Sequence, residues 1–172
     1  MDKFEKLLIC GQSGSGKDFI TSQLRELGYL VGVKTTTRPK RKKEIQGITY
    51  KFTQNENFNI NDMIVYEEFK NHLGDRWLYG FEKEEFNNKQ VFIMTPGELN
   101  QIEQSVRENC FIVYLDIDEE TRRSRLFNRA DKNDSIERRL LADKNDFADM
   151  TDWDLKVTDP EFSVEMIISL WD

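Results

Sequence analysis

Gly11-Gln12-Ser13-Gly14-Ser15-Gly16-Lys17 is the stretch that decides how this chain folds. An apolar run, Leu7-Leu8-Ile9-Cys10, leads into it, and a helical pattern, Phe19-Ile20, Leu24 and Leu27, leads out. Strand, glycine-rich loop and helix in that order form the setting of a phosphate-binding P-loop. Glycines let successive N–H groups turn inward around an anion. The helix N-terminus adds the positive end of its dipole, and Lys17 adds a full charge. Gly11, Gln12, Ser13, Gly14, Ser15, Gly16, Lys17 and Asp18 are therefore the candidate phosphate-binding residues. The position after the lysine is usually Ser or Thr, whose hydroxyl ligates Mg²⁺; here it is Asp18. A glycine-rich turn without a ligand is the competing reading, and the flanking strand and helix weigh against it.

Outward from the loop, strands and helices alternate. The first βα unit covers about 5–27, with Gly28 as its C-cap, and Tyr29–Val33 reads as a short strand. Residues 34–81 differ in kind. Turn signals at Arg38-Pro39, Gln46-Gly47 and Leu73-Gly74-Asp75 interrupt short alternating runs such as Ile48-Thr49-Tyr50-Lys51-Phe52. Glu82–Asn88 reads as a short helix and Val91–Met94 as a buried strand. Thr95-Pro96-Gly97-Glu98 carries the capping-box signature and predicts a helix to about Arg107. Phe111–Leu115 is the next strand. Asp118 caps a helix to about Asn128, Asp134-Ser135-Ile136-Glu137 starts another, and Trp153–Val157 is the last strand. Asp159-Pro160 starts the C-terminal helix. The order predicts an α/β fold with a mostly parallel sheet covered on both faces.

The chain has 172 residues, enough for one domain with a substantial core. Hydrophobic residues make up 38% and charged residues 33%, the balance of a soluble globular protein. The net charge of −7 argues against general binding to nucleic acid or anionic membranes. No run approaches a membrane span. The N-terminus runs directly into the first strand, so no signal peptide is expected. Cys10 and Cys110 lie in or beside apolar runs and read as reduced core residues of a cytoplasmic protein. Two basic islands stand out on this acidic chain: Lys34, Arg38, Lys40, Arg41, Lys42 and Lys43, and then Arg122, Arg123, Arg125 and Arg129. Both mark places where anionic groups can dock, although a solvated helix face accounts equally well for the second. His72 reads as a surface loop residue, and Phe52, Phe58 and Phe69 as core.

Thr36-Thr37-Arg38-Pro39-Lys40-Arg41-Lys42-Lys43-Glu44-Ile45-Gln46-Gly47-Ile48-Thr49-Tyr50-Lys51-Phe52 resembles the guanylate kinase pattern T-T-R-x-x-R-x-x-E-x-x-G-x-x-Y-x-F at every specified position. Glu68 and Tyr79-Gly80 look like the family's F-x-E-W and Y-Y-G elements. Arg125–Arg129 with Glu137–Leu140 looks like its lid, and Asp152–Asp159 like its closing strand. The resemblance covers almost the whole chain. It implies a P-loop kinase fold as a single domain: a core at about 1–33 and 82–172, an inserted acceptor-binding lobe at about 34–81, and a lid at about 126–140. It implies an ATP-dependent nucleoside monophosphate kinase acting with Mg²⁺ on GMP, dGMP or a related nucleotide, as a monomer or homodimer. Small-molecule nucleotides would be its partners, without nucleic acid or membrane. Arg38, Arg41, Glu44, Tyr50 and Tyr79 would form the acceptor's phosphate site, where forked, always-charged arginines suit a phosphate better than lysine. Glu68, or its neighbour Glu67, would meet the base. Lys17, Arg38, Arg41 and the lid residues Arg129 and Arg139 would stabilise the transferring phosphoryl group.

The chain departs from the family at its base-reading positions. The serine four positions before the first arginine is Lys34, and the hydroxyl after the Tyr-Gly pair is Phe81. The L-D-I-D strand end is Phe92-Ile93-Met94-Thr95. Gly-Ser-Gly-Lys-Asp with such a strand also resembles ribose 1,5-bisphosphate phosphokinase, and some viral deoxynucleotide kinases and phosphomevalonate kinases carry the same Gly-Lys-Asp. Asp18, a hard oxygen donor, would then serve as the Mg²⁺ ligand. A non-catalytic module like the guanylate kinase domains of junction scaffolds is the alternative class. The intact loop and Lys17 argue against it.

Overall fold

In the computed structural model, residues 4–70, 74–128 and 135–172 are described. Arg129, His72 and part of the expected lid lie outside them. The elements run β1 (Lys6–Gly11), α1 (Lys17–Glu26), β2 (Thr35–Thr36), β3 (Lys51–Phe52), β4 (Met63–Lys70) and β5 (Arg76–Glu82). Then follow α2 (Lys83–Asn88), β6 (Val91–Ile93), α3 (Pro96–Leu99), α4 (Gln104–Arg107) and β7 (Cys110–Leu115). The chain ends with α5 (Glu119–Asn128), α6 (Ile136–Asp146), β8 (Leu155–Val157) and α7 (Val164–Trp171).

The central sheet has the order β6-β1-β7-β8 and is parallel at every pairing. Successive side chains of a strand point to opposite faces, so β1 feeds two cores. Leu7 and Ile9 join Ile20, Leu24, Val113 and Ile167 on one face. Leu8 and Cys10 join Phe81, Phe86, Phe92 and Ile112 on the other. Each fully buried aliphatic side chain contributes about 1.5–3 kcal/mol. The two cysteines are free and buried, and burial pushes their thiols up to about 12 for Cys10 and about 11 for Cys110. A second sheet, β3-β2-β5-β4, is antiparallel except between β2 and β3. Val65 and Phe81 from this sheet pack into the second core and bind the two sheets together.

α1 ends as expected. Gly28 takes φ 91°, the N–H of Tyr29 reaches the carbonyl of Leu24 at 2.9 Å, and that of Gly28 reaches Arg25 at 3.0 Å. This is the Schellman arrangement.

Three local expectations change. Tyr29–Val33 makes a single bridge, Val31 to Val91, rather than a strand. Gly32 lies so close to the Phe92 ring that a Cβ would sit 2.3 Å from it, and the Glu85 carboxylate takes the N–H of Val33 at 2.9 Å. Both contacts turn the chain away from the sheet edge. The helix expected over 96–107 is two short pieces, because Gln101 leaves the helix to bond the N–H and carbonyl of Tyr66 at 3.0 and 2.8 Å. The C-terminal helix starts at Val164, capped by Ser163, whose hydroxyl accepts from Met166 at 3.2 Å. Asp159 instead closes a turn onto Glu161. Among the described residues no helix is long and apolar enough to cross a membrane.

Candidate functional site

The glycine-rich loop joins β1 to α1. Gly14 and Gly16 take φ 76° and 109°, conformations that side chains resist. The N-cap of α1 is Gly16, which has no side chain to bond the first turn, and a helix start of this kind suits an anion. Gly11 is needed for a different reason: a Cβ there would lie 2.6 Å from the buried Ser15 hydroxyl. The ammonium of Lys17 donates to the carbonyls of Gly11 and Gln12, the latter at 2.9 Å.

Asp18 stands exposed on the first turn of α1, near enough to Tyr50 for its charge to act on the phenol. A hard carboxylate beside a phosphate loop is a fitting Mg²⁺ donor. Arg125 of α5 braces the loop from outside, with contacts to the carbonyls of Gly14 and Ser15 at 3.3 Å and of Pro160 at 3.0 Å. A second hollow of about 480 Å³ opens there between Phe19, Arg125, Asn128, Pro160 and Phe162.

The second sheet builds a cationic corner. Arg38 follows β2, is 5% exposed, and meets Glu44 through both arms of its fork at 2.6 and 3.1 Å. Its guanidinium lies over the rings of Tyr50 and Phe52 at 5.3 and 5.7 Å. Burial works against the Glu44 charge, but the Arg38 hydrogen bonds and the Arg41 N–H at 2.7 Å outweigh it and hold the carboxyl below its usual range. Burial raises the phenols of Tyr50 and Tyr79, so both remain O–H donors. Tyr79 packs edge-on to Tyr50 at 6.0 Å and bonds Arg38 and Thr36. Arg38, Glu44, Tyr50 and Tyr79 thus converge. The Arg41 side chain is exposed at their margin, and Arg139 sits half-buried on α6.

A cleft of about 750 Å³ lies at the carboxyl ends of β1 and β6, where α/β sheets bind ligands. Gly11, Ser13 and Lys17 line one end, and Lys34, Glu67, Phe69 and Thr95 line the other. The two neighbouring carboxylates of β4 differ in their surroundings. Glu68 also lines the cleft, but its carboxylate is paired with the exposed Arg76. Glu67 turns inward and accepts from the Thr95 hydroxyl at 2.7 Å. Its other oxygen rests against Gly97, where a Cβ would stand 2.0 Å away. Burial, helped by the charge of Glu98, raises its carboxyl above the usual range. Lys34 is held from behind by Glu98, which is fully buried and 2.7 Å away. Phe69, expected in the core, is 43% exposed at the cleft.

The sequence profile described as guanylate kinase matches residues 3–166. The chain belongs to the guanylate kinase family. A guanylate kinase of Clostridium tetani (strain Massachusetts / E88) is 27% identical over 135 residues, which make up 75% of this chain and 65% of that protein. The match therefore spans just under two thirds of that relative's length. The crystal structure of guanylate kinase from Anaplasma phagocytophilum is similar with a TM-score of 0.69 at 19% identity, over 99% of this chain and 86% of that one. The fold is the P-loop kinase fold of guanylate kinases. Beside the family's pattern, the structure adds residues to which sequence reasoning gave no site role: Arg122 and Asp143 at the loop and cleft, and Phe162 outside it. Arg122 carried a signal in its basic island. Asp143 had none, because its partner is 130 residues away.

Proposed function

We propose that the chain is an ATP-dependent nucleoside monophosphate kinase with GMP or dGMP as its preferred acceptor. One observation carries this reading. A cationic loop at an uncapped helix start lines the cleft, and the Arg38–Glu44–Tyr50–Tyr79 corner adjoins it through Tyr79, which packs 5.3 Å from the cleft residue Phe69, giving two anion sites for two phosphates. Lys17 and the loop N–H groups hold the donor's β- and γ-phosphates. Arg38, Arg41 and the two phenols hold the acceptor's phosphate in line, and Arg139 with Arg129 supplies cation over the transferring group. Mg²⁺, held through Asp18, would neutralise charge on the donor's phosphates. At the far end, Glu67 accepts from a ring N–H or an exocyclic amino group, and Lys34 donates to a carbonyl. The guanine edge offers both. A ribose bisphosphate would leave that wall unused, and a binding module would not need the intact loop. The hollow between Phe19, Arg125 and Phe162 suits the donor's base.

The test is a coupled assay with ATP and Mg²⁺ across ribo- and deoxynucleoside monophosphates and ribose 1,5-bisphosphate. Turnover is expected with a nucleoside monophosphate, fastest with the guanine nucleotides. ADP formation with ribose bisphosphate alone, or with no acceptor in the panel, would sink the reading.

A further inference from the structure

One residue of the phosphate loop is tied to a distant acid. The N–H of Ser13 donates to Oδ2 of Asp143 at 2.9 Å, and its hydroxyl donates to Oδ1 at 3.1 Å. Asp143 lies on α6 and lines the cleft beside Ser13, Gly11 and Lys17. Arg122 of α5, 4% exposed, donates to Oδ2 of the same carboxylate and to the Ser13 carbonyl, each at 3.4 Å. Its Nε is anchored on the Ile117 carbonyl at 3.0 Å. The N–H, hydroxyl and carbonyl of Ser13 are thus all engaged by an ion pair drawn from two helices.

A carboxylate beside a loop that gathers polyphosphate repels the ligand by charge alone. Arg122 offsets that charge, so what Asp143 supplies is placement. With Ser13 fixed, and the Ser15 N–H closing a turn onto the Gln12 carbonyl at 3.1 Å, the loop that carries Gly14, Gly16 and Lys17 is held in one shape, and a preorganised loop needs no rearrangement when charge arrives. We propose that Asp143 is a positioning residue for the phosphoryl donor, holding the loop in its binding shape and coupling it to α6. This rests on the kinase reading for its kinetic consequence but not for its binding one.

The experiment measures ATP binding by calorimetry, steady-state kinetics and melting temperature for D143A, D143N and S13A. D143A is expected to weaken ATP binding and raise the KM for ATP about tenfold, on the scale of one charge-assisted hydrogen bond. The acceptor's KM should stay unchanged. D143N keeps an acceptor oxygen for the Ser13 N–H and should recover most of the affinity. S13A should add little in the D143A background, because both act through one contact. Wild-type ATP affinity in D143A with only a lower melting temperature would make Asp143 a packing residue. Tighter ATP binding in D143N would make it a repulsive gate, and a changed Mg²⁺ requirement with unchanged KM for ATP would make it a metal ligand. Each of these overturns the proposal. If no acceptor in the panel is phosphorylated, the kinase reading fails while the ATP-binding arm still decides this one.

Discussion

Lys17 folds its ammonium back onto the carbonyls of Gly11 and Gln12, so it is held at the mouth of the loop rather than swinging free. Lys17→Ala is expected to lower turnover by about two orders of magnitude, the scale of removing one preorganised donor. The melting temperature should hold, since the side chain is only partly buried; near-normal turnover would remove the loop from the chemistry. Asp18 allows a second test. Asp18→Ala should raise the Mg²⁺ needed for half-maximal rate, and Asp18→Ser should restore part of it. Unchanged metal dependence in both variants would reduce Asp18 to a charge favourable at a helix start. For the acceptor, Glu67→Gln should change the ranking of bases while Glu68→Gln should not, because the Glu68 carboxylate is already engaged by Arg76. An altered ranking in Glu68→Gln alone would reverse the assignment.

Among the elements, α3 shows how backbone and site are joined. Gly97 sits in its first turn, where alanine would favour the helix by about 0.8–1.0 kcal/mol. A Cβ there would meet Oε1 of Glu67 at 2.0 Å, the far end of a flexible side chain. The side chain gives way before the helix does. Gly97→Ala should therefore raise the acceptor's KM with little change in melting temperature, and equal KM values would show that Glu67 does not reach the acceptor.

The same element shows what the sequence could carry. The capping box at Thr95 and Glu98 was readable because both partners lie within one turn, and both bonds are present. The early end of the helix was not readable, because it depends on Gln101 bonding Tyr66, 35 residues away. Glu67 and Glu68 were indistinguishable for a related reason. Met63 and Val65 make one face of β4 apolar, Ile64 and Tyr66 the other, so alternation gives no parity. Pairing with β5 decides it by burying Val65, whose face Glu67 shares two residues on. The P-loop and the Arg38–Tyr50 pattern were legible because their chemistry is local.

Across the whole molecule, the site's carboxylates pull stability in opposite directions with pH. Glu44 is held below its usual range, so its contribution is present above about pH 4.5 and is lost as the pH falls through its folded value. Glu67 is held above its usual range by burial, so the folded chain binds its proton more tightly than the unfolded chain does. Stability from this group is therefore full below the unfolded value of 4.5 and declines as the pH rises through its folded value. The two isosteric variants should then give pH curves of opposite sign. Glu44→Gln leaves the 5%-exposed Arg38 without its counter-charge and should lose about 3 kcal/mol at neutral pH. That loss should shrink in acid, where wild-type Glu44 is itself protonated. Glu67→Gln keeps an oxygen for the Thr95 hydroxyl and removes a buried charge, so it should melt above the wild type at pH 7. Its advantage should vanish toward pH 4, and the gain should accompany poorer acceptor use. A stabilised variant with worse substrate binding is what a carboxylate retained for recognition rather than for folding should produce. Melting curves for wild type, Glu44→Gln and Glu67→Gln between pH 4 and 8 decide this. Parallel curves would mean that neither carboxyl is shifted by its surroundings.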